Sequence, residues 1–267
     1  MSTTSEKYTA ETVTWVHTWV PGKLFSFRTT RHAGLRFAPG QFLRLGVHRI
    51  AAGKPDEIAW RAYSVVSADY ADHLEFFSIV VPDGEFTSEL VRLKAGDTLL
   101  VDKQAFGFLT LARFEGGSEL WLLSSGTGLA PFMSILQDPT VWQQYQRIVL
   151  VHCVRESAEL VYRDQIAGLT DNPLLAELCK FHDKHMVYIP VVTRESGDGM
   201  LHQRLPVLLG NGELEKAAGL PLDHDRSRIM ICGNPEMVED VRKALAERGF
   251  RTSRRSAPGH IAVENYW

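Results

Sequence analysis

The chain has 267 residues, of which 45% are hydrophobic and 23% charged, and its formal net charge of -3 provides no bulk electrostatic attraction for nucleic acid or an anionic membrane. The opening MSTTSEKYTAETV lacks the apolar core of a secretory signal, and no apolar run reaches the length of a bilayer span, so a cytoplasmic protein without a membrane partner is expected. Three widely spaced cysteines, Cys153, Cys179 and Cys232, support neither a disulfide framework nor a zinc or iron–sulfur centre. The stretch CKFHDKH (Cys179 to His185) groups soft and imidazole ligands, but without a supporting second shell it reads as a polar helix end or loop, and no metal is expected.

At this length one large or two medium domains are expected, and the pattern favours two. Up to about Ala112 six short apolar runs are separated by turns: TVTWVHTW, LFSFRTTR, GQFLRLGV, RAYSVVS, LEFFSIVV and DTLLVDKQ. Several alternate with period two, and Pro39-Gly40, Asp83-Gly84 and Ala95-Gly96-Asp97 break them. Only TSELVRLKA (Thr87 to Ala95) suggests a short helix. Strands so spaced predict a six-stranded antiparallel β-barrel.

From about Ser118 apolar runs alternate with amphipathic segments: ELWLLSS then APFMSILQ, RIVLVHCV then AELVYRDQIAGL, MVYIPVVT then LPVLLGNGELEKAAG, and RIMICG then PEMVEDVRKALAERG. Four strand–helix units in series predict an α/β domain whose parallel sheet is covered on both faces. FEGGSE (Phe114 to Glu119) is the linker candidate, giving domains 1–113 and 114–267.

Within the second domain, SSGTGLAP (Ser124 to Pro131) follows the first strand and opens a helix, where Gly126 and Gly128 let main chain approach a phosphate. The third glycine of the dinucleotide fingerprint is missing, and no acid ends the next strand, so a structural turn is the alternative. In place of the acid stands Arg155, with Arg194 ending the following strand and Arg204 opening the next helix. Parallel strands bring their carboxyl ends to one edge, where guanidinium groups suit an extra phosphate, and that selects NADP over NAD. Solvated arginines at loop starts are the competing reading. Cys232-Gly233 ends the fourth strand with a small side chain and bare backbone, room for a flat nicotinamide. No histidine is placed to activate Cys232 as a nucleophile.

In the first domain the trio Arg61, Tyr63 and Ser64 is odd for a strand. A flavin would use all three, for pyrophosphate, ring face and ring edge; a half-buried tyrosine beside a solvated arginine is the plain alternative.

RAYS, FFSIVVPDGEFTS, GTGLAPFMSIL, CGNPEM and VENYW, in that order and spacing, resemble the bacterial ferredoxin–NADP reductases almost from end to end. The resemblance implies an FAD-binding barrel followed by an NADP-binding α/β domain. It implies that Arg61, Ala62, Tyr63 and Ser64 hold FAD, with Phe77, Ser78 and Ile79 lining it through backbone, Glu85, Phe86 and Thr87 forming a second pyrophosphate contact, and Thr127 beside both cofactors. For NADP it implies Gly126, Gly128, Arg155, Thr193, Arg194, Arg204, Cys232, Gly233, Asn234 and Pro235. Ser64, Cys232, Glu264 and Tyr266 would frame the reacting atoms, and Tyr266 and Trp267 would cover the flavin and its adenine.

The implied activity is reversible hydride transfer between NADPH and FAD, coupled to one-electron exchange with a small acidic carrier, ferredoxin or flavodoxin. A basic cluster of Arg242, Lys243, Arg248 and Arg251 to Arg255 is the candidate docking face, with a solvated helix end as its alternative. The rivals are an NAD(P)H-dependent flavin or oxygenase reductase of the same architecture, and a flavin-binding relay subunit without its own NADPH turnover. A closed barrel and covered sheet leave no evident interface, so a monomer is expected.

Overall fold

The computed structural model describes residues 7–50, 52–180, 186–197, 200–254 and 256–265. The chain forms two compact units, Met1–Gly107 and Phe108–Trp267.

In the first unit six strands, β1 (Tyr8–Val20), β2 (Leu24–Thr30), β3 (Phe42–Arg49), β4 (Lys54–Ser64), β5 (His73–Ile79) and β6 (Thr98–Asp102), form one antiparallel sheet in the order β4-β3-β6-β1-β2-β5. The two edge strands are drawn together just past β4, where Val65 bridges Phe76 and the Val66 N–H donates to the Glu75 carbonyl at 2.8 Å. Alternate residues supply the interior: Phe25 and Phe27, Leu43, Leu45 and Val47, Leu74 and Phe76, and Leu99 and Val101 form a single buried cluster. The period-two pattern is thus the imprint of one packed face.

β4 begins at Lys54, well before the apolar run at Arg61 that marks it in the sequence. Its first half, KPDEIAW, ladders with the end of β3 through Val47↔Ala59, His48↔Ile58 and Arg49↔Lys54, and most of it is exposed. An exposed hairpin arm has little core to face and so carries little hydrophobic alternation. The helix suggested at Thr87 shortens to one turn, α1 (Thr87–Leu90).

In the second unit β7 (Glu119–Ser125), β8 (Arg147–Val154), β9 (Met186–Val192), β10 (Ser227–Gly233) and β11 (Ile261–Asn265) form a parallel sheet in the order β11-β10-β7-β8-β9. Trp121, Leu123, Val149, Val151, Ile189, Ile229 and Ile231 fill one face, while Leu120, Leu122, Ile148 and Leu150 are buried on the other. Burial of both faces explains the unbroken apolar runs.

The helices are α2 (Ala130–Leu136), α3 (Pro139–Gln144), α4 (Arg163–Ala167), α5 (Pro173–Lys180), α6 (Leu205–Gly210), α7 (Glu213–Ala218) and α8 (Pro235–Glu247). Two stretches with one helical period are broken into shorter pieces. Tyr162 sits at φ 63° ahead of α4, and Gly212 at φ 77° separates α6 from α7. α8 has a complete start, with the Asn234 side chain accepting the Glu236 and Met237 N–H groups at 3.0 and 3.2 Å and Pro235 in the first turn. No helix among the described residues is long and apolar enough to cross a membrane.

Phe76 is fully buried and lies at the Val65 bridge, in ring contact with Phe27 at 5.3 Å and Tyr63 at 6.4 Å. Phe76→Ala is expected to cost about 3–5 kcal/mol in urea unfolding, the usual penalty for emptying an aromatic core position.

Candidate functional site

In the parallel sheet the strand order reverses between β7 and β10, and the crevice beyond the carboxyl ends of such a pair is where α/β sheets bind ligands. Both glycine-bearing sequences emerge there. After β7, Gly126 takes φ 53° and a 3-10 turn over Gly126–Leu129 runs into α2. After β10, Gly233 takes φ 139° and the Asn234 N–H donates to Ser125 Oγ at 3.0 Å.

The glycines have different reasons to be there. A Cβ on Gly128 would lie 2.3 Å from the Cys232 carbonyl oxygen, and one on Gly233 would lie 2.2 Å from Ser125 Oγ and 2.7 Å from the Ser125 carbonyl. Both therefore serve the close approach of the turn to the end of β10. Gly126 has nothing within 4 Å of such an atom. Of the three glycines assigned to the nucleotide edge, Gly126, Gly128 and Gly233, only Gly126 faces open space.

Cys232 is fully buried and sits in register between Ser124 on β7 and Glu264 on β11. The sheet thus brings Cys232 and Glu264 side by side, with Gly233 opposite Asn265. Thr127 is buried in the turn, and Asn234 and Pro235 begin α8 at the same edge. β11 was not read from the sequence as a strand, because IAVEN is short and merges into a polar end. Tyr266, Trp267, Arg255 and residues 181–185 of CKFHDKH lie outside the described residues.

Arg155 and Arg194 leave neighbouring strands together. The Arg194 N–H donates to the Arg155 carbonyl at 2.9 Å, and the Thr193 N–H and hydroxyl both donate to the Val154 carbonyl at 3.0 and 3.1 Å. Two acids of these loops are engaged with main chain: Glu159 accepts the Arg155 N–H at 2.9 Å and Glu195 accepts the Ser157 N–H at 2.8 Å. Arg204 stands at the head of α6. All three side chains are exposed, and among the described residues none of the three guanidinium groups has an ion-pair partner.

Two other groups bear on this edge. His152, in the middle of β8, is fully buried, which pushes its imidazole down to about 4 and keeps it neutral. Cys153 beside it is pushed up to about 12 by burial, against the opposing pull of Arg204.

His202, which carried no sequence signal in its polar loop, is held at both ring nitrogens. Nε2 lies 2.7 Å from the Gly197 carbonyl and Nδ1 lies 3.1 Å from the Val192 carbonyl. These carbonyls, Gly197 first, favour the charged ring and raise its pKa above the ordinary 6.5. The resulting stabilisation is present in full below 6.5 and is lost as pH rises through the raised value.

In the first unit, Tyr63 is pushed up to about 12 by burial, and its hydroxyl meets Ser78 Oγ at 3.0 Å. Its ring packs on Phe86, Phe27 and Phe76 at 5.4, 6.4 and 6.4 Å. Ser64 is buried, Arg61 and Ala62 are exposed, and the Arg61 guanidinium donates to the Trp60 carbonyl at 2.8 Å. Phe77 and Ser78 are buried and Ile79 half-buried on β5. Beyond the Val65–Phe76 bridge, β4 and β5 are not laddered to each other. Tyr63 reaches across toward β5 through its hydroxyl.

The turn ahead of α1 is built for shape. Thr87 Oγ1 donates to the Val81 carbonyl at 3.0 Å and accepts the Val81 N–H at 3.2 Å, and a Cβ on Gly84 would come within 2.8 Å of that oxygen. Phe86 packs into the core, while Glu85 points outward to Arg49 at 2.8 Å. Among the described residues the N–H groups of Glu85, Phe86 and Thr87 have no acceptor. Three amides converging on one turn suit an anionic group such as a pyrophosphate.

An antiparallel barrel with an amide-lined turn, and a parallel sheet with a nucleotide edge, define a flavin- and pyridine-nucleotide-dependent oxidoreductase. Residues 21–103 match the oxidoreductase FAD-binding domain family and residues 122–243 the oxidoreductase NAD-binding domain family. The ferredoxin–NADP reductase of Pseudomonas aeruginosa is 41% identical over 263 residues, 97% of this chain and 97% of its own. The flavodoxin/ferredoxin–NADP reductase of Rhodobacter capsulatus is 36% identical over 257 residues, 96% of this chain and 92% of its own. A crystal structure of a ferredoxin NADP+ reductase from Neisseria gonorrhoeae with bound FAD and NADP matches with a TM-score of 0.88 at 38% identity, over 98% of this chain and 99% of that one. The chain belongs to the ferredoxin–NADP reductase family.

Two measurements check this geometry. Gly128→Ala is expected to cost about 1–3 kcal/mol or more in thermal unfolding, because main chain rather than a flexible side chain occupies the space. A proton NMR titration of the His202 ring is expected to give a midpoint above 6.5.

Proposed function

We propose that this reductase uses NADPH rather than NADH and exchanges electrons with ferredoxin or flavodoxin. The observation that carries the reading is the pair of exposed arginines, Arg155 and Arg194, joined by a 2.9 Å main-chain hydrogen bond at the nucleotide edge. With Arg204 they would clamp the 2′-phosphate, for which guanidinium geometry is suited and which NADH lacks. An NADH-dependent reductase of the same architecture would have no use for these charges.

Gly126, with open space before it, would admit the pyrophosphate, and Gly128 would keep the turn tight against β10. Cys232, Gly233, Asn234 and Pro235 would border the nicotinamide, and Glu264 stands next to Cys232 to orient it. In the other unit Arg61 and the Glu85–Thr87 amides would hold the FAD pyrophosphate. Ala62, Tyr63 and Ser64, with Phe77 to Ile79, would hold the ring, Tyr63 being fixed for that purpose by Ser78. Thr127 would lie beside both cofactors. Tyr266 and Trp267 are assigned to the flavin faces by resemblance alone.

The chemistry FAD supplies when bound is the conversion of a two-electron hydride donor into a source of single electrons. The protein contributes orientation and charge, and no covalent role falls to Ser64, Cys232 or Glu264. For carrier docking, Arg242 and Lys243 are engaged by Glu239 at 2.7 and 3.5 Å and Arg248 by Glu215 at 2.9 Å, so the docking charge would rest on the exposed Arg251 and Arg254. The reading extends to a cytoplasmic monomer that needs no membrane.

Anaerobic titration of the yellow protein tests the central claim. NADPH is expected to bleach the flavin at far lower concentration than NADH, and Arg194→Ala to raise the NADPH requirement about tenfold, roughly one charge-assisted hydrogen bond. Equal response to the two nucleotides in the unaltered protein would sink the 2′-phosphate reading.

A further inference from the structure

The loop between β9 and α6 leaves the sheet at Val192 and returns at Leu201, carrying Arg194 near its start and delivering Arg204 just after its end. The Val192 N–H donates to the Leu201 carbonyl at 2.8 Å, which closes the base of the loop. His202 then reaches back across it, its Nδ1 3.1 Å from the Val192 carbonyl and its Nε2 2.7 Å from the Gly197 carbonyl. When Nε2 carries no proton, the Gly197 N–H at 3.2 Å can donate to it in place of the carbonyl contact, so the ring stays tied to Gly197 in either state. One side chain thus binds the start of the loop and its interior, and holds both to the segment that ends in Arg204.

The spacing gives this staple its consequence. Val192 stands two residues before Arg194, and His202 two residues before Arg204. The Val192–His202 contact therefore bears directly on the separation of the two guanidinium-bearing positions. On the far side Leu205 is fully buried, and the Arg204 carbonyl accepts the Val207 and Leu208 N–H groups at 3.0 and 3.1 Å, so α6 is anchored from its first turn. Arg155 is fixed to Arg194 through main chain. The separation of Arg155 from Arg204 is set by this loop together with the packing of Leu205 in the same core cluster as Cys153 and Val191. A guanidinium cluster selects a phosphate monoester only when its members converge, so the part that sets their spacing sets the selectivity.

We infer that His202 is a specificity-determining positioning residue: its bonds to Val192 and Gly197 hold Arg194 and Arg204 at the separation that a ribose 2′-phosphate requires. This rests on the reading of the three arginines as the 2′-phosphate site. His202 touches no nucleotide, so its loss should reduce affinity for ligands bearing that phosphate and leave others unaltered. A purely structural role would weaken both alike.

The test is calorimetric titration of the FAD-loaded protein with adenosine 2′,5′-bisphosphate and, separately, adenosine 5′-monophosphate. His202→Ala is expected to weaken the bisphosphate about tenfold, the equivalent of one charge-assisted contact, with the monophosphate unchanged. His202→Asn, whose amide can occupy the place of Nδ1 and keep the Val192 bond, is expected to lose less, and it guards against a poorly folded alanine variant. Arg194→Ala is titrated in parallel. If it weakens the bisphosphate while both His202 variants do not, the main-chain closure alone positions the arginines; the staple is overturned and the phosphate site stands. If His202→Ala weakens both ligands equally, the role is structural and the inference is wrong. If Arg194→Ala also leaves the bisphosphate unaffected, the phosphate reading falls and the staple with it.

Discussion

At the nucleotide edge of the parallel sheet, the turn after β7 and the end of β10 approach so closely that neither Gly128 nor Gly233 has room for a Cβ against the opposing main chain. That contact fixes a chain of consequences. It seats the 3-10 turn, aims Gly126 outward, and lets Asn234 reach Ser125 while its side chain caps α8. Cys232 is locked between Ser124 and Glu264 because β7, β10 and β11 run in register to that point. A site assembled from backbone in this way has few adjustable parts, which suits a flat ring that must be held at a fixed angle for hydride transfer.

The charges are arranged by a second constraint. Exposed arginines at a protein surface usually find carboxylates, as Arg242 does with Glu239 and Arg248 with Glu215. Along the edge that carries Arg155 and Arg194, Glu159 and Glu195 are instead occupied by backbone N–H groups, and they shape the loops without quenching the guanidinium groups. Among the described residues, no ion pair at Arg155, Arg194 or Arg204 would have to be broken for a phosphate to bind.

Most of this architecture was legible because burial writes a period into the sequence. LFSFRTT and LEFFSI put their core-cluster residues, Phe25, Phe27, Leu74 and Phe76, at alternate positions, with Ser26 and Glu75 buried on the other face, whereas ELWLLSS and RIVLVHCV run unbroken because both faces are apolar. The pattern failed where no core stood behind the chain: the exposed first half of β4, the short β11, and helices interrupted at Tyr162 and Gly212 by backbone geometry that hydrophobicity does not encode. For the candidate site, Arg155 and Arg194 stand out in the sequence from their place at strand ends, Arg204 from the head of a helix, and Tyr63 from its unusual neighbours. The part played by Gly128 does not, because a glycine that admits a ligand and one that admits a neighbouring strand look identical in sequence. His202 was invisible because its partners are carbonyl groups, which every residue possesses.

The two units hold their ligand-facing groups rigid by different means, and this bears on which substitutions each tolerates. Around Tyr63 the restraint is side-chain packing: three phenylalanine rings and a serine hydroxyl fix one phenol, so the position depends on volumes that can be exchanged against one another. At the β7–β10 edge and in the loop after β9 the restraint is main chain against main chain, tightened by single polar side chains such as Asn234 and His202. Such contacts have no volume to trade. The aromatic wall can drift in composition and keep its shape, whereas the nucleotide edge keeps its shape only while a few glycines and hydrogen-bonding side chains stay in place. The proposed discrimination between two nucleotides that differ by one phosphate would thus belong to the unit whose geometry has the least freedom.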